Sequence, residues 1–360
     1  MGNRDYSLLG PNGRHALRIG LAAADWYHTD IPRADMKSLM RRRDGPALRD
    51  SVIYYGAMVS LAGAGIAAWP SWWSFPIWIA YSVLYSSGAD SRWHEAGHGT
   101  AFRTGWMNGV VYHIACFMLL RNPTLWRWSH ARHHTDTIIV GRDPEIVTMR
   151  PPAILKALLL FFGSHQRDGF VAMLRHAAIG LNDEEKDYVP EAERGRATSV
   201  ARIWTSVFAT TLGIALWTGS LLPFMVVGLG PAVLGSWHFA LTGLLQHTGM
   251  ADNVTDHRLN TRTVYLNPVS RFIYWNMNYH VEHHMFPMVP YHALPKLHEM
   301  IKHDLPEPNS GLMEGMGEVI SALRRQLTDP EYRIEKTLPK TARPYRTDLH
   351  DIALDMPAAG

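Results

Sequence analysis

Histidine is the residue type in this sequence whose spacing could do chemistry. Of 20 histidines, eight stand in three windows: His94-Glu95-Ala96-Gly97-His98, His130-Ala131-Arg132-His133-His134 and His280-Val281-Glu282-His283-His284. On a helix, positions i and i+4 share a face, and i, i+3, i+4 make a three-point cluster. Each window therefore presents two or three imidazoles in one direction, and neutral imidazole suits zinc, iron, copper and nickel. A ninth candidate, His247, follows Gln246 at the end of a long uncharged stretch. These nine donors exceed what one ion accepts, since a catalytic zinc takes three protein ligands and a water. Two ions with four or five imidazoles each account for the set. Two adjacent nitrogen-rich metals suit oxygen activation by iron better than hydrolysis by zinc.

Other metal chemistries are constrained by composition. The chain has one cysteine, Cys116, so it can form neither an internal disulfide nor, alone, a cysteine-ligated iron–sulfur cluster or Cys₄ zinc site. A sharper competitor is the zinc protease signature H-E-x-x-H, satisfied by His94-Glu95-x-x-His98 with Glu95 as general base. It leaves six histidines in two matched windows unexplained. A metal-storage protein is disfavoured because storage does not require paired windows. The net charge of +3 and pI of about 8.9 are too mild to suggest nucleic acid as a partner.

The elements that must position these histidines follow from the charge pattern. The chain is 47% apolar and 19% charged, with mean hydropathy −0.12. Yet no Asp, Glu, Lys or Arg stands between Asp50 and Asp90, or between Arg202 and Asp252. A bilayer core about 30 Å thick takes about 20 apolar residues per helix, so each stretch fits two spans. The expected fold is an all-α integral membrane protein with four transmembrane helices as two hairpins, near 52–88 and 203–245. A cytoplasmic helical cap carries the histidine-rich di-metal site.

Residues 1–50 read as a polar basic N-terminal segment. Arg33, Lys37, Arg41, Arg42, Arg43 and Arg49 against Asp35 and Asp44 place it in the cytoplasm. The second hairpin turns near Gly219–Pro223 or Gly228–Pro231. The apolar patches at 104–120 and 153–163 are short for spans and read as interfacial or buried helices. Residues 51–300 form the membrane metal domain and 301–360 a cytoplasmic helix and tail. Leu312, Met313, Met316, Val319, Ile320, Leu323 and Leu327 fall at helical spacing. The tail after Asp329 reads as a surface extension. Because each hairpin returns the chain to its starting side, all three windows, His247 and both termini share the cytoplasmic face.

One window of H-x-x-x-H and two of H-x-x-H-H, interleaved with two hydrophobic hairpins, resemble the membrane fatty-acid desaturase and hydroxylase superfamily. Trp126-Arg127-Trp128-Ser129, Asp143-Pro144-Glu145 and the run Asn278-Tyr279-His280 through Met285-Phe286-Pro287 are similar to that family's flanking sequences. The resemblance covers roughly 50–300 and implies a centre of two irons held by the window histidines, with His247 similar to an extra histidine ligand near the end of the fourth span. Some members carry an asparagine one turn before that histidine; here the position is Gly243.

The resemblance further implies O₂-dependent removal of hydrogen from an unactivated C–H bond. A second loss of hydrogen makes a desaturase, while oxygen rebound makes a hydroxylase or other monooxygenase, the alternative reading. The expected substrate is a fatty-acyl or similar aliphatic chain. The expected electron donor is external, of the ferredoxin, rubredoxin or cytochrome b5 type, since the chain has no recognisable flavin or nicotinamide motif. Some features also resemble a bacterial branch that includes a desaturase of the amino-acid toxin rhizobitoxine, which implies a bacterial inner membrane. Glu95, Asp136, Asp143 and Glu282 are the candidates to orient the ligand histidines through hydrogen bonds.

Overall fold

The first long helix, α1 (Asp44–Ala67), starts where Arg43 is still extended and Asp44 places a carboxylate in the first turn. An acidic group there meets the positive end of the helix dipole. In the computed structural model, which describes residues 4–347, the chain turns at Pro70 and returns as α2 (Ser74–Val83). Trp72 and Trp73 lie at that tip, 92% and 81% exposed, as residues at a bilayer interface would. A π-turn at Leu84–Gly88 joins α2 without a break to α3 (Ala89–Gly97), which carries the first histidine window.

The middle of the chain is a run of shorter helices: α4 (Gly105–Leu119), α5 (Pro123–Thr135), α6 (Ile154–Leu160) and α7 (Ser164–Ala178). The patch expected at 104–120 becomes α4, buried along Val111, Tyr112, Ala115, Cys116 and Leu119 and open along Trp106, Val110 and Ile114. The patch at 153–163 becomes α6, whose Leu155, Leu158 and Leu159 are exposed. Helix α5 begins where the Asn122 side chain accepts from Thr124 N at 3.1 Å and Pro123 occupies the first turn. Proline costs least there, where its missing N–H has no partner to lose.

The second hairpin rises as α8 (Glu191–Thr218) and ends at Gly219 with φ +60°. Among the described residues, α8 is the one helix long and apolar enough to cross a membrane. Its return limb is broken into α9 (Leu222–Val226), α10 (Leu229–Leu234) and α11 (Ser236–His247). The limb breaks first at Val227 and Gly228, the latter with φ +96°. At the junction of α10 and α11 a Cβ on Gly235 would stand 1.9 Å from Ser82 O, so the limb meets the first hairpin at bare backbone. Helix α10 packs on α2, and α11 on the π-turn.

After α11 the chain forms α12 (Pro268–Ile273), α13 (His280–Met285), α14 (Leu294–Ile301) and the amphipathic α15 (Leu312–Gln326) at the expected spacing. No β-strand is present among the described residues, only two isolated bridges. The segment after Asp329 is not a free surface extension. Ile334 N donates to Gly249 O at 2.8 Å, and the fully buried Arg258 donates to Arg343 O and Pro344 O. A buried guanidinium needs several acceptors, and the tail supplies two of them. Residues of the tail beyond 347 lie outside the described ones.

Candidate metal centre

Four helices bring the imidazoles together: α3 with His94 and His98, α5 with His130, His133 and His134, α11 with His247, and α13 with His280, His283 and His284. One group gathers His94, His98, His130, His134 and His283, with one ring nitrogen of each within 4.8 Å of all the others. A second gathers His133, His247 and His284 on the same criterion. His280 stands outside both groups but beside the second, its Nε2 3.2 Å from His284 Nε2. A nitrogen ligand sits about 2 Å from a first-row ion, so opposite ligands are about 4 Å apart and both groups have the right size.

The donor atoms face one another rather than a protein partner. His94 Nε2 and His283 Nε2 are 2.6 Å apart, and His130 Nε2 stands 3.2 Å from both His98 Nε2 and His134 Nε2. His247 Nε2 is buried without a hydrogen-bond partner among the described residues. Burial pushes His94, His130, His134, His280, His283 and His284 well below the ordinary imidazole range, His98 to about 4 and His247 to about 3. They stand neutral, the form that ligates. A buried set of converging lone pairs repels itself until a cation sits between them, and this donor set fits two metal ions.

His133 is the exception. Burial works against its cation, but Asp143 Oδ2 at 2.8 Å outweighs that and raises it above the ordinary value.

The rings are held from behind. Asp143 also accepts from Ile138 N and Glu145 N, both at 2.8 Å. Glu145 accepts at 3.1 Å from His130 Nδ1 and at 2.7 Å from Ser129 Oγ; burial raises it to about 7. His247 Nδ1 donates to Asn260 O at 2.9 Å, which leaves its Nε2 as the lone-pair atom. Thr137 Oγ1 lies 3.3 Å from His284 Nδ1.

Of the four carboxylates singled out in the sequence, Asp143 alone bonds a window histidine. Glu95 accepts from Tyr291 N, Asp136 from Ala23 N and Arg142, and Glu282 from Thr263 Oγ1 and His298. A carboxylate beside a ligand in sequence projects from a different face of the helix. It therefore reaches the neighbouring layer, not the ligand's ring. With Glu95 turned to Tyr291, and His94 and His98 shared with the other windows, the protease reading has no general base in place. Glu145, Thr137 and Asn260 were not expected as supports. Glu145 had a signal, since it closes the Asp143-Pro144-Glu145 turn that flanks the second window. Thr137 and Asn260 had none.

A cavity of about 340 Å³ opens directly on the imidazoles of His94, His130, His133 and His247. Trp93, Trp126 and Phe239 wall one side and Gly243 leaves another open, with nothing within 4 Å of where its Cβ would be. Its volume is at the lower end for ligand pockets.

The fatty acid desaturase family model matches residues 67–314, spanning all three windows and His247. The chain belongs to the fatty acid desaturase family. It is 25% identical to an acyl-lipid omega-3 desaturase (cytochrome b5) of the endoplasmic reticulum from Arabidopsis thaliana, over 69% of each chain. It is 24% identical to a fatty acid conjugase of Calendula officinalis, over 62% of this chain and 68% of that one. An sn-1 acyl-lipid omega-3 desaturase (ferredoxin) of Synechocystis is 23% identical over 64% of this chain and 68% of its own. In this member of the desaturase family, the two imidazole groups and their hydrogen-bonded supports lie within the matched stretch, as does the lining of the cavity except for Gln326.

Proposed function

We propose that this chain is an O₂-dependent di-iron desaturase that introduces a C=C bond into a fatty-acyl or similar aliphatic substrate. The observation that carries the reading is the pair of adjacent buried imidazole groups opening on one cavity. When bound there, two irons reduced by the external donor would reduce dioxygen and so supply the oxidising power that removes hydrogen from an unactivated C–H bond. His94, His98, His130, His134 and His283 would hold one ion; His133, His247, His284 and the adjoining His280 would hold the other. Asp143, Glu145 and Asn260 O fix ring orientation and tautomer. Trp93, Trp126 and Phe239 present an apolar wall against which a methylene chain can lie while water is excluded.

The reading extends to the bilayer. Four spans in two hairpins keep both termini and the site on the cytoplasmic side of a bacterial inner membrane. The electrons come from an external ferredoxin, rubredoxin or cytochrome b5, and two relatives' names carry such donors. The basic segment from Arg33 to Arg49 would steer an acidic donor. A substrate with a polar group close to the reacting bond, as the resemblance to the rhizobitoxine-desaturase branch implies, has support in the cavity wall. There Arg121 pairs with Asp90 at 2.8 Å beside the apolar rings.

Iron quantification and turnover under ¹⁸O₂ test the proposal. Two irons per chain, a product two mass units lighter than substrate, and label confined to water support desaturation. Label retained in an alcohol replaces it with hydroxylation.

A further inference from the structure

Arg92 is a fully buried cation, 0% exposed, two residues before His94. No carboxylate bonds it. Its Nη1 donates to two carbonyls, Gly88 O at 2.8 Å and Ile273 O at 2.9 Å, while its Nε and Nη2 have no partner among the described residues. The guanidinium is instead stacked between rings, 3.6 Å from the Tyr54 centroid and 4.9 Å from that of Trp275. Ser91 Oγ reaches the same two carbonyls, Ile273 O at 2.9 Å and Gly88 O at 3.2 Å.

An uncompensated buried charge is a poor way to stabilise a fold; an apolar side chain of similar volume is often neutral or better there. The two segments that this one joins are informative. Gly88 O is the last carbonyl of the π-turn from which α3 and the first histidine window emerge. Ile273 O is the last carbonyl of α12, from which the chain runs through Trp275 into the third window. A π-turn adds one residue to the helical path and rotates the next stretch of helix by about 100°, so the turn sets which way His94 and His98 face. Gly88 lets Tyr54 lie against that turn, since a Cβ there would be 2.6 Å from the Tyr54 ring. Nη1 of Arg92, shared between the two carbonyls, then ties the turned helix to the segment that delivers His283, whose Nε2 is 2.6 Å from that of His94.

The geometry points to Arg92 as a positioning residue: with Ser91 it latches the first window to the third, and so assembles the metal site that His94, His98 and His283 share. The second group, His133, His247 and His284, contains no residue of the first window, so it does not depend on the latch. The inference rests on reading the histidines as metal ligands.

Co²⁺ titration of the full-length protein in detergent tests it, followed by ligand-field absorption and thermal unfolding. Wild type binds two Co²⁺. Arg92→Met, which removes the buried charge but keeps the volume, keeps or raises the unfolding temperature. It retains one Co²⁺ at wild-type affinity and weakens the other about 10- to 100-fold, the range for lost supporting contacts, with a changed spectrum. Arg92→Lys, which keeps a donor nitrogen but not the planar guanidinium that lies on the Tyr54 ring, falls between. Arg92→Met that binds both Co²⁺ with the wild-type spectrum overturns the latch. So does loss of both ions together with a lowered unfolding temperature, which marks a general structural role. Should Arg92→Met not fold, Arg92→Lys and Ser91→Ala decide: a wild-type spectrum in both overturns it, and weakening of one ion alone in both supports it. A wild type that binds no Co²⁺ overturns the metal reading itself, a result distinct from the others.

Discussion

His133 and His283 sit in different imidazole groups, so their substitution tests the two proposed metal positions separately. Replacing either with Ala opens a ligand position; metal analysis should show lowered iron in each variant and assays should show no turnover. The supporting residues act more gently. Asp143→Asn keeps the shape but removes the charge that holds His133 Nδ1, and Glu145→Gln does the same behind His130. Each should lower metal affinity about 10- to 100-fold without unfolding the chain, measured by competition with a chelator. Glu282→Gln and Asp136→Asn, whose carboxylates bond no window histidine, should change it far less. Cys116 offers a further check on packing. It is fully buried and its thiol is pushed up to about 12, so almost no thiolate exists at pH 8. A maleimide should leave the native protein unlabelled and label it after denaturation.

The elements carry the site by where they break. In the second hairpin's return limb Gly235 rests on Ser82 O where α10 meets α11, and α11 brings His247 beside His133 at a ring distance of 5.1 Å. Gly235→Ala forces backbone apart at that contact. It should cost about 1–3 kcal/mol as overpacking does, read as a lower unfolding temperature, with a loss at the second metal group before the first. Charge-free stretches announced these limbs, and helical spacing announced α15, because both depend on local periodicity. The π-turn left no mark in hydropathy, whereas the break in the return limb falls at Gly228, within one of the two stretches where the sequence placed the hairpin's turn.

At the scale of the whole molecule, the proposed topology is tested by accessibility. In a Cys116-free background, single cysteines near Ser71 should label from the periplasm. Cysteines near Asp136 or His292 should label only after permeabilisation. External labelling near Asp136 would put the second window across the bilayer from the rest and end the convergence on one site. The terminal segments belong to the same body. Tyr27 OH and Thr29 Oγ1 both donate to Asp304 at 2.6 Å, Arg258 lies 3.7 Å from the Tyr27 ring, and Trp26 stacks on His257 at 4.1 Å. Residues before the family-matched stretch thus close over His257, whose ring lies 5.2 Å from that of His284, and the tail joins them through the carbonyls of Arg343 and Pro344 on Arg258.

The spacing i, i+3, i+4 by itself determined that His130, His133 and His134, and likewise His280, His283 and His284, would present together, since helix geometry is local. The two uncharged stretches likewise led to the expectation of apolar hairpins, and α8 in the second is long and apolar enough to cross a membrane. Which imidazoles share an ion was decided only in three dimensions. His133 and His134 are neighbours in sequence yet fall in different groups, because adjacent side chains on a helix point about 100° apart and meet different partners from α3, α11 and α13. The supports were decided the same way. Asn260 O reaches His247 across thirteen residues and Thr137 reaches His284 across 147, distances over which packing, and no local propensity, chooses the neighbour.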